Sequence, residues 1–314
     1  NNRQSEFMYL DAEFLSVMAK ALKGKEFPKA ELHHGWEMIL TNQFHDIIPG
    51  SSIKEVYEQC DIDYAEIKSI AGKAISDAKE LIASGISSER GYVVFNPHSF
   101  VGSGTVVIDG ISAYVENIPP KGYACVKEFK TESSIVIDGR HVENDRISVS
   151  FDENWMISSI YDKINGREII SAGQKGNEIR IYADHPDAYD AWEWQPYSLE
   201  GYKVLSEIES AEAVCDGVRK GIRLVRPYKK SKITQTVWFT EGSSKIDFDT
   251  VADWHQKHLM VKAAFPVDIN SDKATYEIQF GTIERPTHKN TSWDMAKFEV
   301  CGQKYADISD GGYG

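Results

Sequence analysis

The sequence is poor in cysteine and has no long apolar run, and each absence excludes a class of protein. Its cysteines lie far apart and form no CxxC pair: they are Cys60, Cys125, Cys215 and Cys301. This spacing argues against a disulfide framework and a thiolate zinc site, and it favours a reducing cytoplasm. Because no run of about 18 apolar residues occurs, we predict no membrane-spanning helix.

Basic residues are fewer than acidic ones. The 314 residues include 35 Lys and Arg against 48 Asp and Glu, which gives a formal net charge of −13. A phosphate backbone needs clustered Lys and Arg, so this balance argues against nucleic acid as the main partner. The hydrophobic and charged fractions, 41% and 26%, are those of an ordinary globular protein.

Several short patterns are also missing. The sequence has no Gly-rich phosphate loop, no GxSxG and no HExxH. Residues 1–7 lack the charged and apolar regions of a signal peptide and do not begin with Met. Residues 307–314 have the composition of a turn, and no predicted strand follows them. We therefore expect a sequence truncated at both ends.

Three helices are predicted before residue 88. Apolar residues at helical spacing favour helices at about 11–22 and 30–48, the first with Asp11 as its N-cap and Gly24 as its stop. Ser52 and Glu55 fit a capping box for a third helix of about thirty residues. Long helices with short connections predict an antiparallel bundle.

From Tyr92 onward the apolar pattern alternates, which is typical of strands. Strands are predicted at 92–97, 147–151, 232–239 and 245–251, and the Asp-Gly pairs at 109–110 and 138–139 indicate hairpins. No comparable helical stripe follows. We predict a multidomain α+β protein with a three-helix bundle at 1–87, a small β domain at 88–130 and an antiparallel β-sandwich at 131–314.

The adjacent pair His45 and Asp46 is the main candidate for chemistry. An imidazole can bind a metal, and a carboxylate can either bind a metal or accept a hydrogen bond from a sugar hydroxyl. A zinc site needs three or four ligands, and His34 would lie about 16 Å away on a helix with a rise of roughly 1.5 Å per residue. From the residues alone, a functional site and a helix-capping pair both remain open.

Two segments in the β part are weaker candidates. Residues 189–194 combine aromatic rings with Asp190 and Glu193, which suits sugar binding but equally suits a sandwich core with acids at its edge. The loop at 285–294 carries several hydrogen-bonding groups, and loops often hold functional residues.

The segment at 42–53, Asn-Gln-Phe-His-Asp-Ile-Ile-Pro-Gly-Ser-Ser-Ile, resembles the signature of glycoside hydrolase family 38. These are the zinc-dependent α-mannosidases, and the resemblance is to the bacterial and cytosolic branch. It covers nearly the whole chain, because further matches follow in the family's order: Val94-Phe95-Asn96-Pro97, Asp190-Ala191-Trp192, Phe280 to His288, and Ser292-Trp293-Asp294.

The resemblance implies roles for particular residues. It makes His45 a ligand of one Zn²⁺ ion and Asp46 a contact to mannose hydroxyls. It implies a retaining reaction through a covalent mannosyl-enzyme. It also implies a β-sandwich of the galactose-mutarotase-like supersandwich type and a homo-oligomer formed through the β domains. The weaker substrate-binding candidates are Asp190, Trp192, Arg285, His288, Asn290 and Asp294.

The sequence departs from the family in what precedes the helices. The family's N-terminal barrel-like domain, with its His-x-Asp zinc pair, nucleophile and acid/base, has no match, and Glu193 stands where many relatives have Asp. The acids near His185 do not match the catalytic positions either. We therefore expect no catalytic residue and an incomplete zinc site in this chain. The intact protein is expected to be a cytoplasmic α-mannosidase that acts on mannose-containing oligosaccharides, while the chain alone is expected to be inactive.

Two other functions stay open. The first is a non-catalytic carbohydrate-binding β-sandwich module with a helical prefix. The second is a structural or interaction domain whose His-Asp pair only caps a helix.

Overall fold

The computed structural model describes residues 1–86, 91–190 and 192–314. Internal contacts divide the chain into two compact units. The first comprises Asn1–Val106, Tyr114–Phe129 and Ala188–Glu193, and the second comprises Val107–Ala113, Lys130–Asp187 and Trp194–Gly314. The predicted end of the helical part, at Ser87 and Ser88, lies outside the described residues. The division at 87 and 130 therefore stays a prediction.

The chain begins with helices and continues mainly as strands. The helices are α1 (Asn2–Lys23), α2 (Lys29–Asn42), α3 (Lys54–Ala83) and α4 (Ser292–Ala296), with a 3-10 turn at Pro196–Leu199. The strands are β1 (Tyr92–Asn96), β2 (Gly102–Ile108), β3 (Ile111–Ile118), β4 (Gly122–Val126), β5 (Val136–Asp138), β6 (His141–Glu143), β7 (Ile147–Phe151), β8 (Ile157–Asp162), β9 (Arg167–Glu168), β10 (Glu178–Ala183), β11 (Tyr202–Val204), β12 (Ser210–Asp216), β13 (Arg219–Tyr228), β14 (Ser231–Thr240), β15 (Ile246–Asp253), β16 (Leu259–Ala264), β17 (Lys273–Ile278), β18 (Gly281–Pro286) and β19 (Ala306–Asp307). The predicted class, helices followed by a mostly β chain, is confirmed.

In the first unit α1, α2 and α3 share one apolar core. Tyr9 of α1 touches both of the other helices. Its hydroxyl donates to the carbonyl of Ile67 in α3 over 3.1 Å, and its ring meets Trp36 of α2 edge-on at 5.3 Å. Burial raises the pKa of Tyr9 to about 12. The other buried members of this core are Ala12, Leu32, Ile39, Cys60, Tyr64 and Ala71.

Helix α1 is longer than the sequence predicts. It begins at Asn2, so Asp11 lies inside the helix and the N-cap prediction is wrong. The reason is that Ser5 and Tyr9 lie on the same buried face as Ala12, so the first turns also pack. The predicted stop is confirmed: Gly24 has φ 69°, and its N–H donates to the carbonyl of Lys20.

Helix α2 ends at Asn42 rather than at Ile48, and α3 begins at Lys54 without a capping box. The side chain of Asn42 is buried and donates to Asp63 of α3 over 3.1 Å. The hydroxyl of Ser52 donates to the carbonyl of Asp46 and therefore caps no helix. The thirty-residue length predicted for the third helix is confirmed, since α3 has 30 residues.

Two small antiparallel pairs follow the helices. Strand β1 pairs with β4, and β2 forms a hairpin with β3. The predicted turn at 109–110 is confirmed, because Asp109 and Gly110 both have positive φ, 50° and 83°. Phe95 of β1 and Tyr123 of β4 pack beside a second apolar cluster, which contains Leu15 of α1 and Ile82 of α3.

The second unit is built from antiparallel sheets. One has the order β5-β6-β7-β8-β9 and another the order β12-β13-β14-β15. Both contribute to one apolar cluster, which contains Val149 and Ile157 from the first sheet and Leu224 and Val237 from the other. Two three-stranded sheets, β11-β10-β16 and β18-β17-β19, complete the unit. The predicted strands at 147–151, 232–239 and 245–251 correspond to β7, β14 and β15.

Within the part of the chain that the structure describes, no helix combines the length and the apolar character that a bilayer crossing needs.

The contact between Tyr9 and Gly35 gives a test of the helical packing. A Cβ atom at Gly35 of α2 would lie 1.6 Å from the Tyr9 hydroxyl oxygen. We expect Gly35→Ala to lower the free energy of unfolding by about 1–3 kcal/mol, since the buried ring must move. Chemical denaturation followed by circular dichroism measures it.

Gly72→Ala in α3 is the matched control, because a Cβ there meets nothing within 4 Å. It should raise the free energy of unfolding by about 0.5–1 kcal/mol. Equal stability of the two variants would contradict the packing described for Tyr9.

Candidate functional site

The connection between α2 and α3 carries the His-Asp pair. After Asn42 the backbone continues in tight turns: Phe44 N donates to Thr41 O over 3.1 Å, and Ile47 N donates to Phe44 O over 2.8 Å. Gly50, with φ 86°, lies in the last of these turns. The pair therefore lies on a turn beyond the helix, not in its last turn.

A single phenol ties this connection to α3. The hydroxyl of Tyr57 accepts from the backbone N–H of Ser52 over 2.9 Å and donates to the carbonyl of Ile47 over 3.3 Å. The carbonyl of Asp46 accepts from the hydroxyls of Ser51 and Ser52. These bonds orient the backbone on the C-terminal side of His45.

The side chains of His45 and Asp46 are adjacent and differ in exposure. His45 Nε2 lies 3.5 Å from Asp46 Oδ2, and the two side chains are 72% and 40% exposed. The ring of Phe44 lies against the His45 imidazole at 4.3 Å. Asp46 Oδ1 is buried and has no hydrogen-bond partner within the described part of the chain. Since an unpartnered buried acceptor costs free energy, this oxygen is suited to a hydroxyl or a cation.

The His-Asp pair offers two kinds of metal donor. His45 presents an open imidazole, and Asp46 adds carboxylate oxygens beside it. Among residues 1–86, 91–190 and 192–314, no group of three or more His, Cys, Asp or Glu side chains is arranged to hold an ion. The pair fits part of a zinc coordination shell, whereas a structural or catalytic zinc usually has three or four protein ligands.

The segment at 188–193 belongs to the first unit. Tyr189 has φ 56°, and its carbonyl accepts from the backbone N–H groups of Trp192 and Glu193 over 2.9 and 3.1 Å. The side chains of Tyr189 and Trp192 are exposed, as is Asp190. Ala191 of the same motif lies outside the described residues. The segment thus presents exposed aromatic rings beside carboxylates, and its role in sugar binding stays a prediction.

The other candidates lie at the end of β18 and in the loop after it, in the second unit. Arg285 lies with its guanidinium 5.8 Å from the centre of the Tyr276 ring, and its Nε is buried without a partner in the described region. His288 Nδ1 lies 3.6 Å from Asp294 Oδ2 and accepts from the backbone N–H of Asn290 over 3.5 Å. His288, Asn290 and Asp294 therefore form one cluster.

Asp294 forms hydrogen bonds with Thr291, the residue that caps the start of α4. Its Oδ2 accepts from the backbone N–H and the hydroxyl of Thr291 over 3.1 and 2.7 Å, and its N–H donates to the Thr291 hydroxyl over 3.2 Å. This is a capping box at the start of α4. The hydrogen bond from the Thr291 side chain is the largest cause that lowers the pKa of Asp294. The geometry favours a role in ordering the loop.

Sequence reasoning missed Tyr57. Its position in the apolar stripe of α3 predicts a core residue, and its ring does pack beside the helical core. The hydroxyl, however, orders the turn that carries His45 and Asp46. The sequence signal for this role is weak. Tyr57 lies at the edge of the buried stripe of α3, five residues after the Pro-Gly-Ser-Ser turn.

Family models match both parts of the chain. The model described as the alpha mannosidase middle domain matches residues 1–82, and the glycosyl hydrolases family 38 C-terminal domain matches residues 142–314.

Whole proteins and solved structures match as well. The chain is 31% identical over 339 residues to alpha-mannosidase 2C1 of Homo sapiens, covering 100% of this chain and 32% of that protein. It is 28% identical over 332 residues to an alpha-mannosidase of Saccharomyces cerevisiae, covering 98% of this chain and 29% of that protein. An alpha-mannosidase structure from Enterococcus faecalis V583 superposes with a TM-score of 0.76 at 15% identity, over 95% of this chain and 46% of that chain. The chain thus spans about a third of the curated relatives' length.

The Tyr57 hydroxyl gives a test of how the turn is held. We expect Tyr57→Phe to lower the free energy of unfolding by about 1 kcal/mol, because the Ser52 N–H loses its acceptor. Amide hydrogen exchange in residues 44–53 should become faster. Tyr161→Phe, at an exposed position of β8, is the matched control. Unchanged exchange at Ser52 would show that the phenol does not order the turn.

Proposed function

This chain belongs to glycoside hydrolase family 38, and we propose that it is part of a zinc-dependent, retaining α-mannosidase. The proposal concerns the whole protein, because the chain spans 32% of the human relative and 29% of the yeast relative. One observation of the site carries it. The turn after α2 holds an exposed imidazole beside a carboxylate whose Oδ1 is buried without a partner among the described residues.

His45 and Asp46 have separate roles in this proposal. His45 binds the zinc ion through its exposed imidazole, and Asp46 accepts hydrogen bonds from mannose hydroxyls. A bound zinc ion supplies Lewis-acid polarisation of sugar oxygens. The hydrogen bonds of Tyr57 and Ser52 keep the two side chains on one turn, so that the sugar and the ion are held by neighbouring residues. The nucleophile and the acid/base are assigned to the family's N-terminal domain.

Several finer assignments form part of the same proposal. The α1–α3 region is the three-helix bundle of the middle domain, and the β part is a supersandwich of the galactose-mutarotase type. The substrate is a mannose-containing oligosaccharide with terminal α-mannosyl linkages, and the protein works in the cytoplasm as a homo-oligomer. The weaker substrate contacts are Asp190, Trp192, Arg285, His288 and Asn290, with Asp294 positioning the loop.

A carbohydrate-binding module is the second candidate. The exposed rings of Tyr189, Trp192 and Trp293 favour it, because aromatic faces stack on the apolar faces of sugars. The two candidates differ in one result: a binding module retains oligosaccharide without cleaving it.

The zinc role of His45 is tested in the full-length protein. We expect His45→Ala to lower the zinc content after dialysis and to reduce kcat/KM for p-nitrophenyl α-mannoside by at least about 10–100-fold, the loss typical of a disturbed metal site. Metal content is measured by mass spectrometry, and activity by release of p-nitrophenol.

His34→Ala is the matched control. His34 is also an exposed histidine of the helical region, and its Nε2 lies 3.3 Å from Glu66. Its zinc content and activity should equal those of the wild type. Wild-type zinc content in His45→Ala would reject the ligand role.

The 314-residue chain by itself is expected to release no p-nitrophenol from p-nitrophenyl α-mannoside, with or without added zinc. The physical reason is that one histidine and one aspartate hold zinc weakly and supply no nucleophile aligned with an acid/base. Turnover by the purified chain that survives removal of trace contaminants would refute this assignment of roles.

A further inference from the structure

Gln43 lies between the end of α2 and the His-Asp pair. It is the C-cap residue of α2, and its backbone N–H donates to carbonyls of the last helical turn over 3.1 and 3.2 Å. The hydrogen bonds of Tyr57 and Ser52 lie on the C-terminal side of His45. The N-terminal side of His45 is therefore held by other contacts, and Gln43 makes them.

The side chain of Gln43 reaches α1. Its amide nitrogen donates to Glu6 Oε1 over 2.8 Å and to Asn2 Oδ1 over 3.0 Å. Asn2 Nδ2 donates to the same Glu6 oxygen over 3.3 Å. Both amide hydrogens of Gln43 thus have an acceptor, and the bond to the carboxylate is of the stronger, charge-assisted kind. Gln43 is fixed to α2 by its backbone and to α1 by its side chain.

Two further contacts extend this order to the imidazole. Phe44 N donates to the carbonyl of Thr41 over 3.1 Å, and the Phe44 ring lies 4.3 Å from the ring of His45. Because the His45 side chain is 72% exposed, these neighbours and Asp46 are the groups that restrict its rotation within the turn. The direction of the imidazole therefore depends on the backbone at 43–44.

We propose that Gln43, held by Glu6 and Asn2, is a positioning residue for His45, the zinc ligand of the proposed function. The proposal rests on that function. A ligand whose ring direction is set before the ion arrives loses less conformational freedom on binding, and residues behind the ligands tune metal affinity. In this role Gln43 contacts neither the ion nor the sugar, and it acts through the backbone that carries Phe44 and His45.

The test exchanges donor and acceptor between α1 and the end of α2, in the full-length protein. Gln43→Glu removes the donor and places a second carboxylate against Glu6, so the two side chains repel each other. We expect zinc to bind about tenfold more weakly, the lower end of the loss caused by changes behind metal ligands. Zinc affinity is measured by competition with a chelating dye.

A second change should rescue the first. In the double variant Gln43→Glu/Glu6→Gln the new amide can donate to the new carboxylate, and Asn2 can turn its own amide to donate as well. The zinc affinity should return to within about twofold of the wild type. Backbone amide exchange at Phe44 and His45 should be faster in Gln43→Glu and return to the wild-type rate in the double variant.

Gly35→Ala is the control for a general loss of stability. It disturbs the contact with Tyr9. It lies about 12 Å from Gln43 along α2, at roughly 1.5 Å per residue, and leaves the contacts of Gln43 in place. Its zinc affinity should stay within about twofold of the wild type.

The outcomes distinguish this proposal from the proposed function. In a wild type that binds zinc, unchanged affinity in Gln43→Glu, no recovery in the double variant, or an equal loss in Gly35→Ala overturns the positioning role and leaves the mannosidase assignment intact. A wild type that binds no zinc overturns the assignment of His45, and amide exchange then decides the positioning role. Faster exchange in Gln43→Glu with recovery in the double variant supports that role, and unchanged exchange overturns it.

Discussion

The packing of the helical part depends on one buried tyrosine of α1, Tyr9, which contacts both of the other long helices. The Tyr9 hydroxyl reaches the carbonyl of Ile67 in α3, and its ring meets Trp36 of α2. Gly35 leaves the space that this hydroxyl occupies, because any Cβ there would overlap it. After Asn42 the connection between α2 and α3 leaves the helical conformation and continues in the turns at 43–53.

Those turns determine how the His-Asp pair is displayed. A continued helix would use the carbonyls of Asp46 and Ile47 in its own hydrogen bonds. In the fold they accept from Ser52 and Tyr57 instead. The imidazole of His45 is consequently exposed, and Asp46 is left with one oxygen facing His45 and the other buried without a partner in the described region. On this turn an exposed imidazole therefore lies beside a carboxylate whose Oδ1 has no partner among the described residues.

In the loop after β18, the neighbouring residues Trp293 and Asp294 make different contacts. Asp294 accepts two hydrogen bonds from Thr291 and lies beside His288, so its charge orders the backbone. Trp293, one position earlier, points outward and is largely exposed. Their contacts therefore differ: Asp294 orders the backbone of the loop, whereas Trp293 is exposed to solvent.

Most of the element types were predictable from local pattern, since the helical stripe of α3 and the alternation in β14 each depend on neighbouring residues only. The Asp-Gly turn at 109–110 was predictable for the same reason, and the segment at 42–53 was sufficient to indicate the family. What the sequence determined by itself is therefore the class of fold, the family and the identity of His45 and Asp46 as candidates. Only the tertiary structure decided that α2 ends at Asn42, that Tyr57 holds the turn and that Asp46 Oδ1 lacks a partner among the described residues. Each of these depends on how α3 packs against α2 and against the turn between them, which periodicity in the sequence does not encode.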